Sequence, residues 1–224
     1  MRGKMGIDRM RQIVSGGMAL EEKALIDMWF AGADEGTRQA LADRAKTVTV
    51  RKNQLLLEAG EVQNHVCFLV RGVFRGFLVE ADGRDITDCF AARPGDLVMG
   101  CNALGAPSQV GLEAMVDSEV LMIPVTVVEP MLQGSLELLR MYNQYLVSAL
   151  EYHWETKMLL YRCTAMERYR WFLSRYPGLI DSISNKHIAS FLGMTPGPLS
   201  RLRRQLRSQA DGGEEAPGEA AKTE

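Results

Sequence analysis

The apolar positions of this chain change their period along its length. Between residues 47 and about 123, short runs rich in β-branched and aromatic residues recur about every ten residues, and turn residues separate them. Short strands at this spacing predict a sandwich or barrel rather than parallel βαβ units. Asp82-Gly83, between two alternating runs, is the strongest local hairpin signal. We therefore predict an α+β protein with an N-terminal, eight-stranded jelly-roll β-barrel, preceded by helices over 20–30 and 35–45.

A helical period returns after Pro124 and places one long stripe on a single helix. Its members alternate spacings of 4 and 3 residues over about three heptads. They are Leu138, Tyr142, Tyr145, Ala149, Tyr152, Thr156 and Leu159. A heptad seam on a helix that leaves a compact barrel is typical of pairing, so we predict a homodimer through this helix. The alternative is that the same stripe buries against its own barrel. Thr164 and Glu167 then have the spacing of a capping box for the next helix.

Two short helices joined by a tight turn are predicted over residues 185–206. Ser184 can cap the first helix with its hydroxyl. Gly193 follows that helix where a left-handed residue is needed, and Pro196 suits the first turn of the second helix. Ala189 is small, which allows the two helices to cross closely. These positions fit a helix-turn-helix.

The second of these helices carries a basic surface. Leu199, Leu202 and Leu206 form its inward stripe. Four arginines spread over the remaining faces, and no acid lies between residues 196 and 208. They are Arg201, Arg203, Arg204 and Arg207. This pattern favours a winged-helix-type domain that binds double-stranded DNA. The alternative is an amphipathic hairpin with a solvated basic face.

The charge distribution agrees with a local DNA contact. The 224 residues carry a net charge of −2, but residues 160–210 hold nine basic and two acidic side chains. The segment after 210 is Gly-, Ala- and Glu-rich, with five acids and one lysine. No apolar run approaches the roughly 18 residues of a membrane span, and the N-terminal residues lack a signal-peptide core. We therefore expect no membrane association and a cytoplasmic location. The four cysteines are dispersed, with no C-x-x-C pair, which argues against a metal cluster or a disulfide framework.

A barrel, a long helix and a C-terminal helix-turn-helix, in that order, resemble the Crp/Fnr family of bacterial transcription regulators. The phrases that carry the resemblance are LVRGVFRGFLVEADGRDITDCF, RPGDLVMG, MERYRWFLSRYPGL and IASFLGMTPGPLSRLRRQL. The resemblance implies a dimer that reads a pseudo-palindromic operator under the control of a small effector, with RNA polymerase as a possible further partner. The expected organisation is a mobile N-terminus (1–19), an effector-sensing barrel (20–132), a dimerisation helix (133–161), a helix-turn-helix domain (162–209) and a disordered acidic tail (210–224).

The chain departs from the family where cyclic AMP would bind. The family's phosphate-binding cassette begins with Gly-Glu and ends with Arg-Ser or Arg-Thr, whereas this chain has Gly100-Cys101 and Gln109-Val110. A buried phosphate without a guanidinium partner would be costly to desolvate, so binding of cyclic AMP in the family manner is not expected. The cysteine group of the iron–sulfur members is missing near the N-terminus. His65, His153 and His187 show no haem-ligand pattern. We predict no metal and no resident cofactor.

The second helix also departs from the family, because Pro196-Gly197 stands where many members place Arg-Glu. Base contacts are then expected from Ser200, Arg201 and Arg204, with Pro198 against a thymine methyl group. Phosphate contacts are expected from Lys186, Thr195 and Arg207, with Arg203 on the same basic surface.

Candidate effector residues lie near the cassette and on the long helix. They are Met99, Cys101, Asn102, Gln109, Tyr142 and Tyr145. For each of them, a plain core or surface position is the alternative. Two further interpretations remain: a constitutive DNA-binding regulator with a vestigial pocket, and a redox sensor using Cys101. Cupin-like barrels can also be metal enzymes, but only His65 lies in the barrel region, so we predict no enzyme.

Overall fold

The computed structural model describes residues 21–101 and 103–211. The helices are α1 (Glu22–Trp29), α2 (Glu35–Ala42), α3 (Val125–Gly134), α4 (Leu136–Arg162), α5 (Ala165–Arg175), α6 (Leu179–Ser182), α7 (Asn185–Phe191) and α8 (Pro196–Asp211). The strands are β1 (Lys46–Val50), β2 (Leu55–Leu57), β3 (His65–Arg71), β4 (Phe74–Val79), β5 (Asp85–Ala91), β6 (Gly111–Ala114) and β7 (Ser118–Pro124). The predicted terminal segments 1–19 and 210–224 lie outside the described residues, except that 210 and 211 end α8.

The strands form two antiparallel sheets that face each other. Sheet A has the order β1-β7-β3 and sheet B the order β2-β6-β4-β5. The described residues contain seven strands, so the prediction of eight is wrong. The run PGDLVMG is not a strand, because Gly95 has a φ of 86° and turns the chain, and Leu97 pairs with Phe68 only in an isolated bridge. The Asp82-Gly83 hairpin is confirmed between β4 and β5, with Gly83 at a φ of 82°.

Sheet A is covered on both faces, which explains the continuous buried run on β3. Cys67 and Leu69 point into the sandwich, where they join a core of side chains from both sheets. Val66 and Phe68 point the other way, because successive side chains on a strand alternate. On that outer face they meet α1, α2, α3 and the start of α4.

The long helix α4 carries two different apolar stripes. The predicted stripe faces inward at Leu138, Thr156 and Leu159, which are at most 9% exposed in the single chain. Tyr145 and Tyr152 pack against core clusters on either side of the sandwich. Its central member Ala149 is exposed. Most of this stripe therefore belongs to the protomer's own core, which was the alternative interpretation. The assignment of Leu138, Tyr142, Tyr145, Tyr152 and Leu159 to the dimer contact is corrected accordingly, whereas that of Ala149 stays a prediction.

The opposite side of α4 is exposed and apolar. Its members are Leu139, Val147, Leu150, Trp154 and Tyr161, and Trp154 is 54% exposed. From Val147 their spacings are 3, 4 and 7, which is again a heptad period. This stripe was not predicted from the sequence, because a helix that is apolar on two sides gives no internal sign of which side meets its own chain.

The helices after α4 follow their local signals. The Thr164–Glu167 capping box at the start of α5 is confirmed, and Ser184 caps α7 by accepting a hydrogen bond from the Lys186 N–H. Gly193 is left-handed, with a φ of 62°, and α8 begins at Pro196. Beyond Pro124 the described residues contain no strand, so no wing accompanies this helix pair there. Within the described ranges, no helix has the length and apolar character that crossing a bilayer requires.

Candidate nucleic-acid interface and a separate apolar cavity

Helix α8 presents a basic face to solvent. Arg201, Arg204 and Arg207 are all exposed, while Leu199 on the opposite side is fully buried. Ser200 is exposed as well, and its hydroxyl donates to the Pro196 carbonyl oxygen at 3.0 Å. That leaves the Ser200 oxygen available only as an acceptor. The predicted contact residues Thr195 and Pro198 lie at the start of the same helix, exposed and half-buried respectively.

Among the described residues, Arg203 forms an ion pair within the domain, unlike the other three arginines of α8. Its guanidinium donates to the Asp181 carboxylate at 2.7 Å, and its side chain is 25% exposed. Asp181 belongs to α6, so this ion pair holds α8 against the preceding helix. The structure therefore gives Arg203 a positioning contact within the domain and leaves the outward basic face to three arginines.

Helix α7 lies across β5, the edge strand of sheet B. The backbone N–H of Thr87 on that edge donates to the Ser190 hydroxyl at 3.0 Å. The Lys186 ammonium forms an ion pair with Asp85 at 3.0 Å. Lys186 is 64% exposed, so it still reaches solvent while it contacts the barrel. An edge that could pair with another strand is thereby covered by the helix pair.

A buried ionic cluster lies beneath α7. Arg75, only 3% exposed, donates to Asp85 and Glu113 at 2.6 Å each and to the Thr87 hydroxyl at 3.2 Å. Burial acts to raise the pKa of Asp85, but hydrogen bonds from Arg75 and Lys186 outweigh it and lower that pKa to about 2. Burial, and after it the charge of Arg75, lower the pKa of His187 on α7. The junction is therefore organised around one buried cation.

An aromatic cluster completes this junction. Phe90 of β5 lies 5.2 Å from Phe191 and 5.9 Å from Tyr176 between ring centroids. Tyr176 also shares a hydrogen bond of 2.9 Å with the Tyr152 hydroxyl on α4. None of this junction was predicted from the sequence. Arg75, Asp85 and Glu113 lie on three different strands and become neighbours only through strand pairing.

The predicted effector residues near the cassette do not form a polar pocket. The Gly100 N–H donates to the Gln63 side-chain oxygen at 3.0 Å, and a Cβ on Gly100 would collide with the Ser108 hydroxyl. Gln109 is exposed, and Asn102 lies outside the described residues. Cys101 is half-buried, and burial raises the pKa of its thiol, which disfavours the reactive thiolate. Among the described residues, no group of three or more His, Cys, Asp or Glu side chains could hold a metal ion.

The other predicted effector residues lie elsewhere, around an apolar cavity of about 40 Å³. This cavity lies outside the sandwich, between the outer face of sheet A and the helices that cover it. Met99, Tyr142 and Tyr145 line it together with Phe30, Leu41, Val66, Phe68, Leu97, Ile123, Val128, Leu132, Leu138 and Met141. The structure thus brings together three of the six predicted residues.

Comparison with known proteins identifies the class to which this fold belongs. The cyclic nucleotide-binding domain family matches residues 47–135, which include all seven strands except the first residue of β1. No curated protein matches the chain at a significant level.

Solved structures extend the likeness beyond that domain. FixK2 from Bradyrhizobium japonicum has 25% identity and a TM-score of 0.67, covering 74% of this chain and 86% of that one. The c-di-GMP-responsive global regulator CLP from Xanthomonas campestris has 18% identity and a TM-score of 0.61, covering 83% and 96%. A protein described as a transcriptional regulator of the Crp/Fnr family, from Eubacterium rectale, has 15% identity and a TM-score of 0.64, covering 80% and 86%.

The predicted resemblance to the Crp/Fnr family is confirmed: residues 47–135 match the cyclic nucleotide-binding domain family, and the structural neighbours include Crp/Fnr-family transcriptional regulators. The neighbours from Eubacterium rectale and Xanthomonas campestris are described as regulators, in agreement with the prediction of a regulator rather than an enzyme.

Proposed function

We propose that this protein is a homodimeric, DNA-binding transcription regulator of the cytoplasm that reads a pseudo-palindromic operator. The observation that carries the proposal is the outward face of α8, where Arg201, Arg204 and Arg207 are exposed on a helix that follows a left-handed turn at Gly193. A second helix held in this way can enter the major groove as a recognition helix. The first helix, α7, then lies beside the DNA backbone with Lys186.

The partner in the dimer is a second copy of this chain, paired through the exposed stripe of α4. Val147, Leu150, Trp154 and Tyr161 are exposed apolar residues along one side of a helix of 27 residues. Exposed apolar surface of this extent marks an interaction site, and a heptad period suits a parallel twin helix. The twofold axis would place two α8 helices on one face, for half-sites about 34 Å apart.

Selection of bound sequences from random double-stranded DNA tests this function. We expect a pseudo-palindrome whose half-sites are one helical turn apart. Replacing Arg201 by Ala should weaken cognate binding by about 5- to 150-fold, since a specific Arg–guanine contact is worth about 1–3 kcal/mol. Arg84→Ala is the matched control, because Arg84 is an exposed arginine on the β4–β5 hairpin and does not belong to the helix pair. Equal losses on cognate and random DNA would show that Arg201 reads no base.

The dimer contact has its own test. Trp154→Glu should place a charge in the exposed stripe and convert the dimer to a monomer in analytical ultracentrifugation, with loss of tight operator binding. Ser148→Glu places the same charge at an exposed position of α4 outside the stripe and serves as the control. A Trp154→Glu protein that stays dimeric would contradict the proposed contact.

The effector proposed for this regulator is not a cyclic nucleotide. At the cassette the chain offers Cys101 and Gln109 instead of the carboxylate and guanidinium that the ribose and phosphate need, and the Gly100 N–H is already bound to Gln63. We expect cyclic AMP at millimolar concentration to leave the melting temperature unchanged. The second candidate is a constitutive regulator with a vestigial pocket. If the operator lies beside a promoter, RNA polymerase becomes the further partner.

A further inference from the structure

The apolar cavity lies where the sensing domain meets the long helix. Val66 and Phe68 of sheet A form one wall, and Val128 and Leu132 of α3 form another. Helix α4 closes it with four residues in its first three turns: Leu138, Met141, Tyr142 and Tyr145. A molecule in this space would contact the strands, α3 and α4 at once.

The lining determines which ligand chemistry fits. It holds no charged side chain, and its polar atoms are those of two phenols, Tyr142 and Tyr145. Neither hydroxyl makes a hydrogen bond with another described residue. Burial raises the pKa of both phenols, so both stay neutral at physiological pH. A buried ion would have no partner here, and a water molecule would have few, whereas apolar cavities of this kind stay dry and accept apolar molecules.

The volume of the cavity limits the size of the ligand. A volume of about 40 Å³ corresponds to roughly three water-sized spheres, since one sphere needs about 10–15 Å³. Met99 and Met141 border the space, and unbranched thioether chains adapt their shape easily. The cavity thus accepts an uncharged group of a few carbon atoms and can widen for somewhat more.

Helix α4 could couple this cavity to the proposed DNA-binding face, because it contacts the cavity on one side and carries the proposed dimer stripe on another. Leu138 and Tyr145 touch the cavity side, while Leu139 and Val147, beside them on the same helix, lie on the exposed stripe proposed for the dimer. Filling the cavity would therefore favour one placement of α4 on the barrel and bias how two copies pair.

We propose that this cavity is the effector site and that its ligand is a small, uncharged apolar molecule or the end of an alkyl chain, with at most one hydrogen-bonding group near Tyr142. The inference rests on the proposed regulator function. It differs from the cyclic nucleotide site of the domain family in place and in chemistry, because it lies outside the sandwich and offers no partner for a phosphate.

The test uses the purified full-length protein with 1-hexanol as the probe and hexanoate as its charged counterpart. We expect 1-hexanol to bind in calorimetry and hexanoate not to bind. Leu132→Ala should strengthen binding of the alcohol about tenfold, because each further buried methylene contributes about a factor of four. Val128→Leu should weaken it about fourfold. Leu57→Ala, at a half-buried leucine of the sandwich, is the matched control and should leave the affinity unchanged.

Affinity for the selected operator is measured with and without saturating alcohol. A change of at least about threefold in wild-type protein, lost in Val128→Leu, supports the proposal. It is overturned if hexanoate binds as tightly as 1-hexanol, if 1-hexanol does not bind, if both cavity variants leave the affinity unchanged, or if saturation leaves operator binding unaltered. A protein that selects no DNA without any probe would instead refute the regulator function, whether or not the alcohol binds.

Discussion

The two outer faces of the sandwich are covered in opposite ways. On sheet A, α1 to α4 pack mainly through apolar side chains, with one hydrogen bond from the Thr47 N–H to the Glu22 carboxylate, and leave a cavity of about 40 Å³. On sheet B, α7 and α5 pack through one buried arginine, its two carboxylates and a group of aromatic rings. Apolar contacts are non-directional and tolerate small shifts, whereas a buried ion pair requires one geometry. The comparison indicates that α4 can adjust on sheet A, while the helix pair stays in register on sheet B.

The largest effect on the free energy of unfolding is expected at the buried Arg75. Arg75→Leu leaves Asp85 and Glu113 without their shared partner, so the free energy of unfolding should fall by about 3–5 kcal/mol. Urea unfolding measures this. Arg84→Ala, at an exposed arginine of the neighbouring hairpin, should change it by less than about 0.5 kcal/mol. A loss at Arg75 as small as the loss at Arg84 would mean that the aromatic rings alone hold the junction.

The second largest effect on stability is expected at the turn between α7 and α8. Gly193 has a φ of 62°, and a Cβ there would lie 2.9 Å from the Leu160 Cδ2 atom of α4. Gly193→Ala should therefore lower the free energy of unfolding by about 1–2 kcal/mol. Gly197→Ala is the matched control, since a Cβ in the first turn of α8 meets nothing within 4 Å and should be neutral or stabilising by up to about 1 kcal/mol. Equal effects at the two glycines would contradict the left-handed turn.

The ionic junction should also show in the acid dependence of stability. The pKa of Asp85 falls from 3.8 to about 2 on folding, so its contribution is fully present above pH 3.8 and is lost as the pH falls toward 2. The groups that face it are Arg75, Glu113, Lys186 and His187. Asp85→Asn should lower stability at pH 6 and reduce the further loss between pH 4 and pH 2, relative to wild type, in urea unfolding. If wild type and Asp85→Asn lost the same stability between pH 4 and pH 2, Asp85 would not be the group responsible for the acid dependence.

The smallest effect is expected in the apolar junction. Val128→Leu adds one methylene toward the cavity and should raise the free energy of unfolding by up to about 1 kcal/mol. Val62→Leu, at an exposed valine, should have no measurable effect in the same assay. A destabilised Val128→Leu protein would show that the space is too rigid to accept added carbon, and the contrast between the two junctions would weaken.

Helix caps and turns could be predicted from the sequence, because each of these signals depends on residues close together in the chain. The Thr164–Glu167 box, the Ser184 cap, the left-handed Gly193 and the Asp82-Gly83 hairpin all act over two to four residues. The basic side of α8 could be predicted for the same reason. These signals determined the order of elements and the resemblance to the Crp/Fnr family.

Tertiary structure alone decided which side of each element meets its own chain. Helix α4 has two stripes of equal period, and only packing against the barrel shows that Leu138 and Leu159 belong inside while Val147 and Trp154 stay outside. In the same way, strand pairing brings Arg75 to Asp85 and Glu113, and a helix contact turns Arg203 toward Asp181. The physical reason is that burial depends on neighbours distant in sequence, whereas a periodic pattern records only that a face is apolar.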